Sequence, residues 1–464
     1  MVRATSTAVC AALVAFASDA AAQPIAVERI RLQGGYIGEA RPEPAPHLDD
    51  VWIGAVPQLT VFWLTPDATL SIDYQLTAAL HSFNSLSEIA NLLTLASAID
   101  LSRRTRLLLT AEGAQSTYSN YLISRPAGAA PVALYPSAGN RVITGRVSEV
   151  ISHDLTPAVR LEQDATLGVF TTLAPSPPLD TFFADLGGLV ERTWRRDALG
   201  AELRSGYVNI KAFPPVPDQQ FVTVTAAPRW RHDWTTTVSS ALSGGATAVL
   251  SPDAGTAPRA APFGRASVLY NALPTTAELS YQVGVFPSVL TGLLAETNQV
   301  TLQGTVPISE HHRVFFGGSV GYQHASLIDL RNLGNDLTYD SFLSDVGVTW
   351  QVSPLMQVFG RYQFIAQVGD ANAVGLNPSL LRDFFIVGVQ LSSRPSPIEA
   401  VQTRLPQRVD QTDAPRAAPA ARRDPRAPAP ADADAPPPEG PGPTRWIHTT
   451  PALPPQPVSE PDAD

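Results

Sequence analysis

The sequence predicts an all-β chain, a single antiparallel up-and-down sheet closed into a barrel across a bilayer. Three observations carry that expectation. Apolar and polar residues alternate at a period of two in run after run, as in strands with two unlike faces. Short polar turns recur roughly every 36–53 positions. Five of the seven tryptophans, Trp63, Trp194, Trp230, Trp234 and Trp350, lie in or beside those turns. Indoles favour a membrane–water interface because one edge is apolar and the other can hydrogen-bond.

At the N-terminus, Arg3, the apolar run Ala8 to Ala17 and the small residues Ala20-Ala21-Ala22 form an export-signal pattern, so residues 1–22 are set apart from the fold. Cys10, the one cysteine, falls inside it and leaves no disulfide framework. Eight short turns follow, around Pro66-Asp67, Ser102-Arg103, Leu155-Thr156, Arg196-Asp197, His232-Asp233, Leu273-Pro274, Glu310-His311 and Pro354-Leu355. Each has the Pro, Asp, Ser or charged residues that turns prefer. They account for sixteen strands, and runs from Val27 to Tyr36 and from Asp383 to Leu391 raise the count to eighteen. The first run is weakened by Gly34-Gly35, and without it sixteen strands is the alternative. Longer connections, such as Pro175 to Thr181, Pro214 to Gln219 and Ala325 to Thr338, alternate with the short turns. Membrane barrels show that asymmetry, with short turns in the periplasm, which places both mature termini there. The barrel domain is therefore residues 23–394.

Residues 395–464 hold 18 prolines among Ala, Asp and Arg. Such a segment buries too little apolar surface to offset its ordering entropy, so it reads as a disordered periplasmic tail. It is a candidate contact for a periplasmic export or cell-wall partner, and the isolated Trp446-Ile447-His448 lies within it.

Composition sets further bounds. Charged residues make up 16% and hydrophobic residues 44% of the chain, yet no apolar run approaches the length of a spanning helix. The net charge of −10 argues against a nucleic-acid surface. Lys211 is the sole lysine, so abundant arginine is not by itself a sign of an anion site.

Alternation assigns the faces. Leu70, Ile72, Tyr74 and Leu76 oppose Ser71, Asp73, Gln75 and Thr77; Val358, Tyr362 and Phe364 oppose Gln357, Arg361 and Gln363. The polar set predicts a lumen lined by Asp73, Arg106, Glu112, Arg146, Arg160, Glu162, Asp164, Glu202, Arg204, Arg229, Arg265, Glu278, Arg313, Asp345 and Arg361. Wall charges need water or partners, and barrels of sixteen to eighteen strands leave an aqueous channel. The lumen is expected to be hydrated, with mixed signs and no sustained ladder of one sign.

Catalytic patterns are absent. His153, His232, His311 and His312 sit at or beside turns, and adjacent His311-His312 would point to opposite faces of a strand. No nucleophile elbow or phosphate loop is present. The expectation is a protein that is not an enzyme, with no metal and no cofactor.

On these features residues 27–391 resemble a bacterial outer-membrane β-barrel. The run Phe384-Phe385-Ile386-Val387-Gly388-Val389-Gln390-Leu391 is similar to the final strand that barrel-insertion machinery recognises, although here a tail follows it. The resemblance extends to two eighteen-stranded groups, the sugar or substrate-specific porins and the barrels of polysaccharide export. It implies an outer-membrane location, lipid as surroundings and transport of polar cargo. The long tail favours polysaccharide export; a passive porin for small polar solutes and a structural, anchoring barrel with a blocked lumen are the alternatives.

Overall fold

The computed structural model describes residues 24–40, 48–81, 87–117, 141–172, 180–211, 218–251, 258–272, 274–288, 293–309, 313–328, 337–369 and 380–394. The expected leader, the tail with Trp446, the turn at Glu310-His311, and the connection from Ser119 to Asn140 lie outside them. In chain order the strands are β1 (Ile25–Ala40), β2 (Leu48–Leu64), β3 (Ala68–His81), β4 (Ser87–Ser102), β5 (Thr105–Thr117), β6 (Arg141–Thr156), β7 (Val159–Thr172), β8 (Asp180–Trp194) and β9 (Asp197–Lys211). There follow β10 (Gln219–Asp233), β11 (Val238–Leu250), β12 (Arg259–Ala272), β13 (Thr275–Ser288), β14 (Leu293–Pro307), β15 (Val314–Ile328), β16 (Leu337–Ser353), β17 (Met356–Gly369) and β18 (Leu380–Ser392).

Every strand pairs antiparallel with its neighbours in sequence, and β1 pairs with β18 to close the ring. Closure leaves no unpaired edge, the condition a sheet must meet in lipid. The eighteen-strand expectation therefore holds, and the sixteen-strand alternative does not. Despite its glycines β1 belongs fully to the sheet, in register from Arg29↔Ser392 to Ala40↔Leu381 and from Ile25↔Phe62 to Glu39↔Leu48. Gly35 is required there. A Cβ would stand 2.3 Å from the Phe385 carbonyl oxygen and 3.1 Å from Trp52 Nε1.

The strands outrun several expected boundaries. β6 continues through Leu155-Thr156 and β10 through His232-Asp233. The connection placed at Ala325 to Thr338 is shorter, because β15 reaches Ile328 and β16 starts at Leu337. Ladder hydrogen bonds carry polar residues into strands that local turn preference would leave out. At the β8–β9 turn Arg195 takes the left-handed conformation with φ 54°.

Which face is inside follows from contacts that skip a strand. The Arg31 guanidinium of β1 lies 5.6 Å from the Phe359 ring centre of β17, across the inner side of β18. Ile37, Trp52, Ala79, Phe384 and Ile386 form a buried cluster with Phe359 and Ile365, drawn from β1, β2, β3, β17 and β18. The other face carries Ile53, Leu80, Leu203, Leu302 and Val387 in the open, an apolar exterior suited to lipid.

Candidate functional site: the inner wall

The register places Asp73, Arg106, Glu112, Arg146, Arg160, Glu162, Asp164, Glu202, Arg204, Arg229, Arg265, Glu278, Asp345 and Arg361 on the inner face. Arg313 departs from the expectation, standing exposed in the connection before β15 and outside any strand. Arg29, Arg31, Glu191, Arg231 and Arg382 join the inner face without having been singled out in the sequence. Arg29 and Arg31 alternate in step with Val27 and Gln33, a local signal for one wall that a doubtful first strand concealed.

Around β7 to β10 the inner charges are paired. Arg160 meets Glu162 at 3.1 Å, Arg231 meets Glu191 at 3.4 Å, and Arg204 reaches Asp164 at 3.1 Å and Glu202 at 3.4 Å. Asp164 is on β7 and Arg204 on β9, so their contact spans β8. Gly187 of β8 makes that possible, since a Cβ there would sit 2.1 Å from Asp164 Oδ1. Glycine gives the carboxylate a passage across the sheet.

Where the ring closes, the balance is different. Arg29, Arg31, Arg361 and Arg382 come together on β1, β17 and β18. Arg361 Nε donates to Asp345 Oδ1 at 2.8 Å. Arg29 Nη1 donates to Thr60 Oγ1 at 3.4 Å, and Gln58 Nε2 donates to Asp73 Oδ1 at 2.8 Å. Arg31 is only 3% exposed, and among the described residues no carboxylate stands within ion-pair distance of it. Its guanidinium lies over the Phe359 ring, a cation–π arrangement. Two positions along, Gln33 has both amide atoms buried without a hydrogen bond, as does Trp52 Nε1. Gln33 lies between Gly54 and Gly388 in register. The Trp52 ring covers Gly54, and the Phe359 ring covers Gly388. Closure of the ring thus gathers four arginines, with Asp345 bonded to Arg361 and Arg31 lacking a carboxylate, because it brings the two ends of the chain together.

Two aromatic rows mark the outer face. At the short-turn end, Trp63, Trp194, Trp230 and Trp350 are on the outer sides of their strands, and Trp234 is in the β10–β11 turn. Trp230 Nε1 donates to Asp197 Oδ1 at 3.1 Å and Trp234 Nε1 to Ser240 Oγ at 3.0 Å. His232 lies between these rings and bonds Asp197 at 2.8 Å, a packing role. Further toward the longer loops, outward tyrosines donate to polar groups on the next strand: Tyr36 to Asp49, Tyr74 to Asn91, Tyr281 to Asn298, Tyr322 to Asp340 and Tyr362 to Asp383. The tryptophans are legible in the sequence, whereas this second row is not, because its partners are across strands. Among the described residues no group of three or more His, Cys, Asp or Glu could hold a metal ion.

No protein-family model matches the sequence, and no curated relative does. The barrel is similar to solved structures of Acinetobacter baumannii OccAB3 (10% identity, 79% of this chain and 99% of that one, TM-score 0.43) and Pseudomonas aeruginosa OccK2, also called OpdF (12%, 80% and 98%, 0.40). Pseudomonas aeruginosa OpdK, solved with vanillate, is a third (10%, 79% and 98%, 0.41). The likeness is architectural. Nothing about cargo passes from these proteins to this chain.

Proposed function

We propose that this chain is an outer-membrane channel for small polar solutes, with a preference for anions. The observation that carries the reading is Arg31, a buried cation on the inner wall with no carboxylate beside it and an unsatisfied Gln33 amide two positions away. A buried arginine with no carboxylate beside it leaves positive potential on the wall, and that potential favours a passing carboxylate or phosphate over a cation. Arg29 and Arg382 stand on the same wall, with Arg361 beside them bonded to Asp345, and arginine-lined pores favour anions. The termini are assigned to the periplasm, where short turns are found in such barrels.

Small cargo is preferred to a polysaccharide because apolar side chains crowd the inner face toward the longer loops on facing walls. One group is Ile37, Trp52, Phe384 and Ile386, and the other is Val208, Ile210, Phe221 and Val249. A long hydrated polymer would have to pass between them. The test is single-channel recording of the mature protein in a planar bilayer, with a salt gradient and polyethylene glycols of graded size. An open conductance that prefers chloride and is entered only by small polymers is the expected result. A silent barrel, or one indifferent to ion sign, overturns the reading.

A further inference from the structure

The exterior holds one feature that neither lipid nor transport explains. Glu149 lies midway along β6, with Leu109 and Ala165 as its cross-strand partners. Its neighbour Ser148 points inward, where it accepts a hydrogen bond from Thr166, so alternation turns the Glu149 carboxylate outward. Among the described residues it has no hydrogen bond or ion pair. Other outward carboxylates are placed differently. Asp49, Asp340 and Asp383 stand within the first four residues of their strands, near the longer loops, and each accepts a tyrosine hydroxyl. An unpaired carboxylate in the middle of a lipid-facing band is unfavourable.

The surroundings of Glu149 match it with a partner of like kind. Gln163, exposed on the outer face of β7, is also without a hydrogen bond among the described residues and sits two positions from Ala165. Carboxylate and carboxamide thus occupy adjacent strands at nearby depth. Arg192, exposed on the outer face of β8, adds a cation nearer the turn. Gly113 and Gly188 lie on this same face, and a Cβ on either would meet nothing within 4 Å. Gly244 on β11 is equally open, so the two glycines leave room for a close neighbour here and the unpaired Glu149 and Gln163 single out this face.

We propose that the outer face of β5 to β8 is an interface with a second copy of this chain, in which Glu149 of each copy accepts a hydrogen bond from Gln163 of the other. A two-fold axis along the membrane normal between β6 and β7 sets donor against acceptor twice, the self-complementarity that such an interface needs. The proposal holds whatever the lumen carries.

Disulfide trapping in native membranes tests it, using the full chain with Cys10→Ser as background. Ala165→Cys is expected to give an oxidant-dependent dimer, and Leu302→Cys, exposed on the far wall, is expected to stay monomeric. Failure of Ala165→Cys to cross-link, or equal cross-linking at both positions, overturns the interface. Glu149→Leu provides a second measurement, with barrel folding followed by heat-modifiable migration and association by native mass spectrometry. The expected result is a folded barrel whose association is weakened by about tenfold. A Glu149→Leu barrel with unchanged association means that the carboxylate plays no part in pairing, which also overturns the proposal.

Discussion

The wall around β7 to β10 and the wall where β17 and β18 meet β1 are built from similar side chains in opposite states of compensation. On the first, Arg160, Arg204 and Arg231 each have a carboxylate, and Gly187 opens the way for one of the pairs. On the second, Arg31 faces an aromatic ring instead of an acid. A compensated charge serves the wall, since removing one partner strands the other in a poorly solvated place. An uncompensated one is a cost to folding that transport can account for.

The largest expected effect breaks the closure wall outright. Gly35→Val drives a side chain into the Phe385 carbonyl, 2.3 Å from the first added carbon, and should abolish the heat-modifiable folded form in electrophoresis. Gly187→Ala on the paired wall is the counterpart. There the obstruction is the movable Asp164 carboxylate. The barrel should therefore fold with Asp164 turned away from Arg204, and stability to urea should fall by about 1–2 kcal/mol.

Removing charge sharpens the contrast. Arg204→Met removes the cation that meets both Asp164 and Glu202 and should lower stability to urea by about 1–3 kcal/mol. Arg31→Met should leave stability unchanged or raise it, because a buried charge without a carboxylate is replaced by an apolar chain. The same Arg31→Met protein should lose several-fold in its chloride-over-potassium permeability ratio, read from reversal potentials. A destabilised Arg31→Met barrel with unaltered selectivity would mean that Arg31, like Arg204, serves the wall and not the cargo. The smallest effect lies outside both walls. Trp350→Ala, at the exposed outer end of β16, should cost about 1 kcal/mol with no change in selectivity.

Much of this architecture was legible in the residues. Turn chemistry at Pro66-Asp67 and Pro354-Leu355, and strict alternation from Leu70 to Thr77, report local preferences that the sheet preserves. The paired wall was partly legible too, since Arg160, Glu162 and Asp164 alternate on one strand. Arg29 and Arg31 are harder to read, because Gly34-Gly35 weakens the strand that carries them. Arg382 stands one residue before the alternating run that begins at Asp383, within a strand that starts at Leu380. Glu149 carries no local signal, because a lone acid gains meaning only when its face is known.

The sequence by itself determined the all-β class and the alternation of the two faces, because alternation and turn residues act over a few positions at a time, and it left eighteen strands against sixteen for the pairing of β1 to decide. The tertiary structure alone decided which charges meet. Closure sets Arg29 opposite Ser392 and brings Arg31 against Phe359, and Gly187 lets Asp164 cross a strand to Arg204. Those contacts join residues that are far apart along the chain or on strands that are not neighbours, and pairing geometry at that range has no local signature.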